Sequence, residues 1–145
     1  MNRRVAMMAL SGGMDSTSLM MRLLADGYEV HTISFDYGQK HKVELQRAQA
    51  NLAYLEQHGH PVRHNMIDLT SAMSTLHSAL TDDSMAVPEG HYEEEHMKQT
   101  VVPNRNAIFA SILYASALSL AIKERVNVEI ALGVHSGDHA IYPDC

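Results

Sequence analysis

Six residues, Ser11-Gly12-Gly13-Met14-Asp15-Ser16, separate an apolar run from a run with helical periodicity. The upstream run, Val5-Ala6-Met7-Met8-Ala9-Leu10, is apolar without alternation, as a parallel strand buried on both faces should be. Downstream, from Asp15 to Asp26, Leu19, Met20, Leu23 and Leu24 share one helical face, and Gly27 supplies a stop. The glycines therefore lie at a strand-to-helix turn. Lacking side chains, they let backbone N–H groups approach an anion, and the helix N-terminus adds partial positive charge. Ser11 and Ser16 add hydroxyl donors. A phosphate or pyrophosphate suits such a turn. The alternative is a plain tight turn, with Asp15 complementing the helix dipole.

The rest of the chain repeats the strand-then-helix alternation. The expected order is strand 3–10, helix 15–26, strand 29–35, helix 40–58, strand 61–68, a helical turn near 69–77, a loop, helix 104–124 and strand 127–133. Leu45, Ala48, Leu52 and Leu55 give the second helix one apolar face, with Gly59 as its stop. Alternation of this kind implies an α/β fold: a doubly wound parallel sheet with right-handed crossovers, helices on both faces and strand order 3-2-1-4. The last helix carries Ile108, Phe109, Ile112, Leu113, Leu118 and Ile122 nearly all round, which predicts burial on more than one side. The segment 77–104 is long for a connection and carries Glu93-Glu94-Glu95. Loops of that length serve as lids or as solvated insertions. The final strand has no helix after it, unlike the earlier ones, so residues 1–145 are expected to form one N-terminal nucleotide-binding domain, incomplete at its C-terminus.

Composition excludes several classes. A net charge of −6 argues against a general nucleic-acid surface. The single cysteine, Cys145, rules out an internal disulfide framework and a paired-cysteine metal knuckle within the chain. No signal-peptide pattern follows Met1, and no apolar run reads as a membrane span, which points to the cytoplasm. The sequence leaves the oligomeric state open, a homodimer included.

In an open parallel sheet, ligands bind beyond the carboxyl ends of the strands. Four polar or glycine-rich segments fall there: the Ser11–Ser16 turn, Phe35-Asp36-Tyr37-Gly38-Gln39-Lys40-His41, Val102-Pro103-Asn104-Arg105-Asn106, and Gly133 through Cys145. The first is no Walker loop, because no lysine follows its glycines. Its S-G-G-x-D-S pattern resembles the PP-loop of ATP pyrophosphatases, which cleave ATP between the α- and β-phosphates. The four motifs in order, S-G-G-M-D-S-T, F-D-Y-G-Q-K-H, V-P-N-R-N-A-I-F and G-V-H-S-G-D-H-A-I-Y-P-D-C, are similar to those of the 7-cyano-7-deazaguanine synthase family of queuosine biosynthesis. The likeness runs from Met1 to Cys145.

That resemblance implies a Rossmann-like fold of the adenine-nucleotide alpha-hydrolase type. It also implies an ATP-dependent ligase joining 7-carboxy-7-deazaguanine and ammonia into 7-cyano-7-deazaguanine through an adenylated intermediate. ATP with Mg²⁺ would be bound, and the other substrates are small molecules. The family's zinc is held by cysteines in a region beyond Cys145, so its ligands are not expected in this chain. The nucleotide stretch maps onto Ala9, Leu10, Ser11, Gly12, Gly13, Met14, Asp15, Ser16, Thr17, Ser18 and Leu19. Asp15 is a candidate to hold Mg²⁺ or to fix the loop. Arg105 is a candidate catalytic clamp for polyphosphate or substrate carboxylate, since guanidinium binds such oxyanions bidentately; a surface ion pair is its alternative. Asp36, Gln39, Asn104, Arg105, Asp138, Tyr142 and Asp144 are candidate substrate contacts, with carboxylates suited to a guanine-like N–H edge and an aromatic face to stacking. Asp36-Tyr37-Gly38 is also a natural turn. Two other readings remain: a different PP-loop enzyme that modifies tRNA or forms an amide, and a catalytically silent nucleotide-binding fragment.

Overall fold

The computed structural model describes residues 2–38, 42–74 and 105–133. Four strands, β1 (Val5–Ala9), β2 (Glu29–Asp36), β3 (Arg63–Asp68) and β4 (Val128–Ala131), alternate with helices α1 (Met14–Ala25), α2 (Val43–Gln57), α3 (Thr70–Met73) and α4 (Arg105–Glu124). The strands form one sheet in the order β3-β2-β1-β4, and every pairing is parallel. Both the α/β class and the 3-2-1-4 order agree with expectation. The predicted loop 77–104 lies outside the described residues.

The register explains two cores. Met8 stands beside Thr32, and Met7 beside His31. Strand residues alternate faces, so even-numbered members of β1 and β2 point one way and odd-numbered members the other. Met8, Leu10 and Val30 pack with Met20 of α1 and Ala48 and Leu55 of α2. Met7, Ile33 and Phe35 pack with Leu113 and Ala117 of α4. Helices thus cover both faces, and β1, buried on both, needs the unbroken apolar run it has.

α4 departs from expectation. Leu113 and Ala117 are its buried residues, whereas Tyr114, Leu118 and Ile122 are exposed. One face meets the sheet, so burial on more than one side is corrected among the described residues. By length and composition alone α4 is long and apolar enough to cross a membrane, a test that core helices of soluble proteins also pass. In this structure it lies along the sheet.

The chain reverses direction across the sheet at β1, which has β2 on one side and β4 on the other. The carboxyl end of β1 is therefore the topological switch point, where such sheets bind ligands.

Candidate nucleotide-binding site

The Leu10 amide donates to the Ile33 carbonyl at 2.8 Å, and the Ser34 hydroxyl donates back to the Leu10 carbonyl. These bonds carry the ladder one residue past β1 before the chain turns. Gly12 then adopts φ +88°, and a Cβ built there would stand 1.8 Å from the Glu44 carbonyl oxygen. Both facts demand glycine, and the second shows the start of α2 packed directly on the turn. Gly13 is the N-cap of α1 and brings no side-chain cap bond. The helix begins with the Thr17 amide donating to the Gly13 carbonyl at 3.1 Å.

Ser16 is the hub of the turn. It is buried, and its hydroxyl accepts from the Ser11 amide at 3.1 Å and lies 3.0 Å from Ser11 Oγ. Ser11 Oγ in turn accepts from the Gly13 amide at 3.1 Å. Two serine hydroxyls thus take the amides that an oxyanion would otherwise take. Hydroxyls can rotate, so these bonds can be exchanged without refolding the turn. Thr17 Oγ1 is buried and has no hydrogen-bond partner among the described residues.

The remaining PP-loop candidates divide by position. Met14 and Asp15 are exposed on the first turn of α1, and Ser18 is exposed a turn later. The Leu10 side chain is in the core and Leu19 packs against that core, so only backbone groups of Leu10 face the turn. Ala9, the last residue of β1, packs against the α4-side core.

The second segment meets the first at the carboxyl end. Asp36 ends β2; one carboxylate oxygen accepts from the Gly38 amide at 3.2 Å and the other lies 3.3 Å from Lys42 Nζ. This is the expected turn. Next to Asp36 in register, Asp68 has its carboxyl held below the usual range, chiefly by the Thr70 hydroxyl and amide.

Arg105 opens α4, which runs back along the sheet from this same end. Its Nη1 donates to Tyr37 Oη at 3.2 Å, and its guanidinium carbon stands 5.8 Å from the Tyr37 ring centre and 6.0 Å from that of Phe109. Phe109 stacks on Phe35 at 4.1 Å with planes 2° apart. The fourth segment is reached at Gly133, where a Cβ would come within 3.2 Å of the Asp15 carbonyl and the Ser16 amide. The end of β4 therefore lies against the first turn of α1. Gln39, Asn104, Asp138, Tyr142, Asp144 and Cys145 lie outside the described residues. Among the described residues, no group of three or more His, Cys, Asp or Glu is placed to hold a metal ion.

Two residues of this end were not singled out from sequence. Glu44 reaches the turn, with Oε1 3.8 Å from where a Gly13 Cβ would stand. Tyr37 had been read only as part of a turn, although it bonds the candidate clamp. A tyrosine beside a strand-end aspartate was the available signal for it.

A glycine–serine turn at the switch point of a parallel sheet, opening a helix without a side-chain cap, is the arrangement of a PP-loop fold. Residues 5–145 match the family described as "Queuosine biosynthesis protein QueC", and the chain belongs to that family. Curated relatives bear the name 7-cyano-7-deazaguanine synthase. The protein of Alteromonas mediterranea is 52% identical over 137 residues, covering 93% of this chain and 57% of the relative. That of Caldicellulosiruptor saccharolyticus is 46% identical over 140 residues, covering 97% and 58%. That of Methanoregula boonei is also 46% identical over 140 residues, covering 97% and 60%. The chain thus spans a little under two thirds of the length of these relatives.

Proposed function

We propose that this chain is the nucleotide-binding part of a ligase that uses ATP to convert 7-carboxy-7-deazaguanine and ammonia into 7-cyano-7-deazaguanine. The observation that supports this reading best is the Ser11–Ser16 turn at the switch point of the sheet, in a chain of the QueC family. A carboxylate is a poor electrophile. Its oxygen attacks the α-phosphorus of ATP and pyrophosphate leaves, giving an acyl adenylate. Ammonia displaces AMP to give the amide. A second ATP is then attacked at its α-phosphorus by the amide oxygen and releases pyrophosphate; loss of AMP and two protons from that adenylated amide leaves the nitrile.

In this scheme the residues position groups and stabilise charge. The Gly12 and Gly13 amides, the Ser11 and Ser16 hydroxyls and the N-terminus of α1 receive the phosphates. Thr17 Oγ1, buried without a partner among the described residues, is a further donor on the same turn of helix. Asp15 is exposed where a carboxylate can hold Mg²⁺ beside the phosphates or complement the helix dipole. Arg105 clamps an oxyanion. Asp36, tied to Gly38 and Lys42, shapes the floor beneath the second substrate. Gln39, Asn104, Asp138, Tyr142 and Asp144 are proposed to contact that substrate. The acceptor is a small molecule rather than a nucleic acid, in keeping with the charge of −6, and the reaction belongs in the cytoplasm with its ATP.

The test is thermal protection of this chain by ATP, with and without Mg²⁺. A ligand that binds only the folded state raises Tm. Protection by ATP is expected, increased by Mg²⁺ and abolished in Gly13→Val. Equal shifts in parent and variant would refute the phosphate cradle. Pyrophosphate release on adding 7-carboxy-7-deazaguanine then separates this ligase from other PP-loop chemistry.

A further inference from the structure

Arg105 stands where an arginine is locally unfavourable. It is the first residue of α4, at the positive end of the helix dipole, where acidic side chains are preferred. Aromatic faces lie beside its charge. The Tyr37 and Phe109 rings both lie about six ångströms from the guanidinium carbon, at 5.8 and 6.0 Å, within the range of cation–π attraction. The two rings touch each other at 5.6 Å with a 54° tilt, and Phe109 is fixed in turn by its stack on Phe35. Phe35 belongs to β2 and Phe109 to α4, so the seat is built from the sheet and the helix that covers it. The hydrogen bond from Nη1 to Tyr37 Oη joins residues 68 positions apart.

We infer that Tyr37 is a positioning residue: it sets the plane of the Arg105 guanidinium so that its fork faces an oxyanion bound at the carboxyl end of the sheet. This rests on the proposed ligase reading, in which Arg105 is the clamp. A guanidinium holds its N–H donors in one plane, so fixing one nitrogen orients the rest. The ring faces fix the distance and the phenol oxygen fixes the rotation. The oxyanion is either a phosphate of ATP or the carboxylate of the second substrate. Both present paired oxygens to a planar fork.

The experiment is a double-mutant cycle on this chain. Tyr37→Phe, Arg105→Ala and the pair are titrated calorimetrically with Mg-ATP and, separately, with 7-carboxy-7-deazaguanine. Arg105→Ala should weaken one of the two ligands by roughly 10- to 100-fold, as losing a charge-assisted bond does. The ligand that responds identifies the source of the oxyanion. Tyr37→Phe keeps the ring and the fold, and should weaken that same ligand by roughly 3- to 10-fold. Added to Arg105→Ala, it should weaken that ligand no further, because the positioning acts through the guanidinium. Arg105→Lys, with charge but no fork, should not restore parental affinity. If Tyr37→Phe is silent while Arg105→Ala is not, or if the two losses multiply, the positioning role is wrong and the clamp survives. If Arg105→Ala leaves both ligands unchanged, the clamp itself is wrong.

Discussion

At the amino end of the sheet, Arg3 bonds Glu29 at 2.9 Å and Glu124 at 3.0 Å, and Glu29 also holds His31 at 3.0 Å. At the carboxyl end, the turn from Ser11 to Ser16 is held by hydroxyls and backbone amides. The first group joins the chain before β1, the start of β2 and the last residue of α4. Its charges answer one another: the Arg3 guanidinium is held above its ordinary range by Glu29 and Glu124, and the Glu29 carboxyl below its own by His31 and then Arg3. Such a network ties elements together and keeps little charge for a ligand. The second group is largely uncharged and presents donors. The same parallel sheet thus carries a fastening end and a receiving end, and the contrast follows from which ends of the helices meet there.

The sharpest way to break this contrast is at the two adjacent glycines. Gly12→Ala places a Cβ 1.8 Å from a backbone oxygen of α2 at φ +88°. Left-handed strain and overpacking together should cost about 4 kcal/mol. Gly13 has φ −74°, and a Cβ there meets Ser11 Oγ at 3.3 Å, so Gly13→Ala should cost less than about 1 kcal/mol. ATP protection should fall in Gly13→Ala although the fold is kept. Urea denaturation followed by an ATP thermal shift measures both. Equal stability of the two variants would mean that α2 does not rest on the turn.

A smaller effect is expected at the fastening end. Glu124→Gln removes the partner that Arg3 holds at 3.0 Å and Arg63 at 3.8 Å. Partly exposed pairs are individually weak, so Tm should fall by about 2–4 °C. The shift produced by ATP should match that of the parent. A variant with normal Tm but impaired nucleotide protection would place ligand chemistry at the wrong end.

Much of this was legible in the sequence. The unbroken apolar run of β1 could only be a doubly covered strand, and that puts the glycine turn at the switch point. Leu45, Ala48 and Leu55 fall on the buried face of α2 as their spacing predicts. The cover over α4 was not legible. Periodicity shows that Tyr114, Leu118 and Ile122 are apolar, but not whether anything packs on them, and here they are exposed. The role of Tyr37 was hidden for a different reason. Asp36-Tyr37-Gly38 satisfies the local chemistry of a turn, and the bond to Arg105 exists only once β2 and α4 are stacked. Glu44 was missed in the same way: an acid in the first turn of a helix is ordinary, and its approach to Gly12 and Gly13 is purely tertiary.

The smallest effect expected concerns His64, which belongs to neither network. The Thr32 hydroxyl lies 3.2 Å from the Arg63 carbonyl and 2.8 Å from His64 Nδ1, and bonds both. Nε2 is buried without a hydrogen-bond partner among the described residues, so the doubly protonated, charged ring would have an N–H with no acceptor. Burial accordingly pushes the His64 pKa below its ordinary value. The sign follows from proton counting. Between the lowered folded pKa and the ordinary value near 6.5, the unfolded chain binds more protons than the folded one. The contribution of His64 is therefore fully present above about pH 6.5 and is lost as pH falls through that window. His64→Asn keeps a hydrogen-bonding group for Thr32 but does not titrate. Denaturation midpoints of parent and variant, taken from pH 8 to pH 5, should show the parent losing ground relative to the variant on acidification. A constant difference, or one that favours the parent as pH falls, would show that the imidazole accepts its second proton in the folded chain as readily as in water.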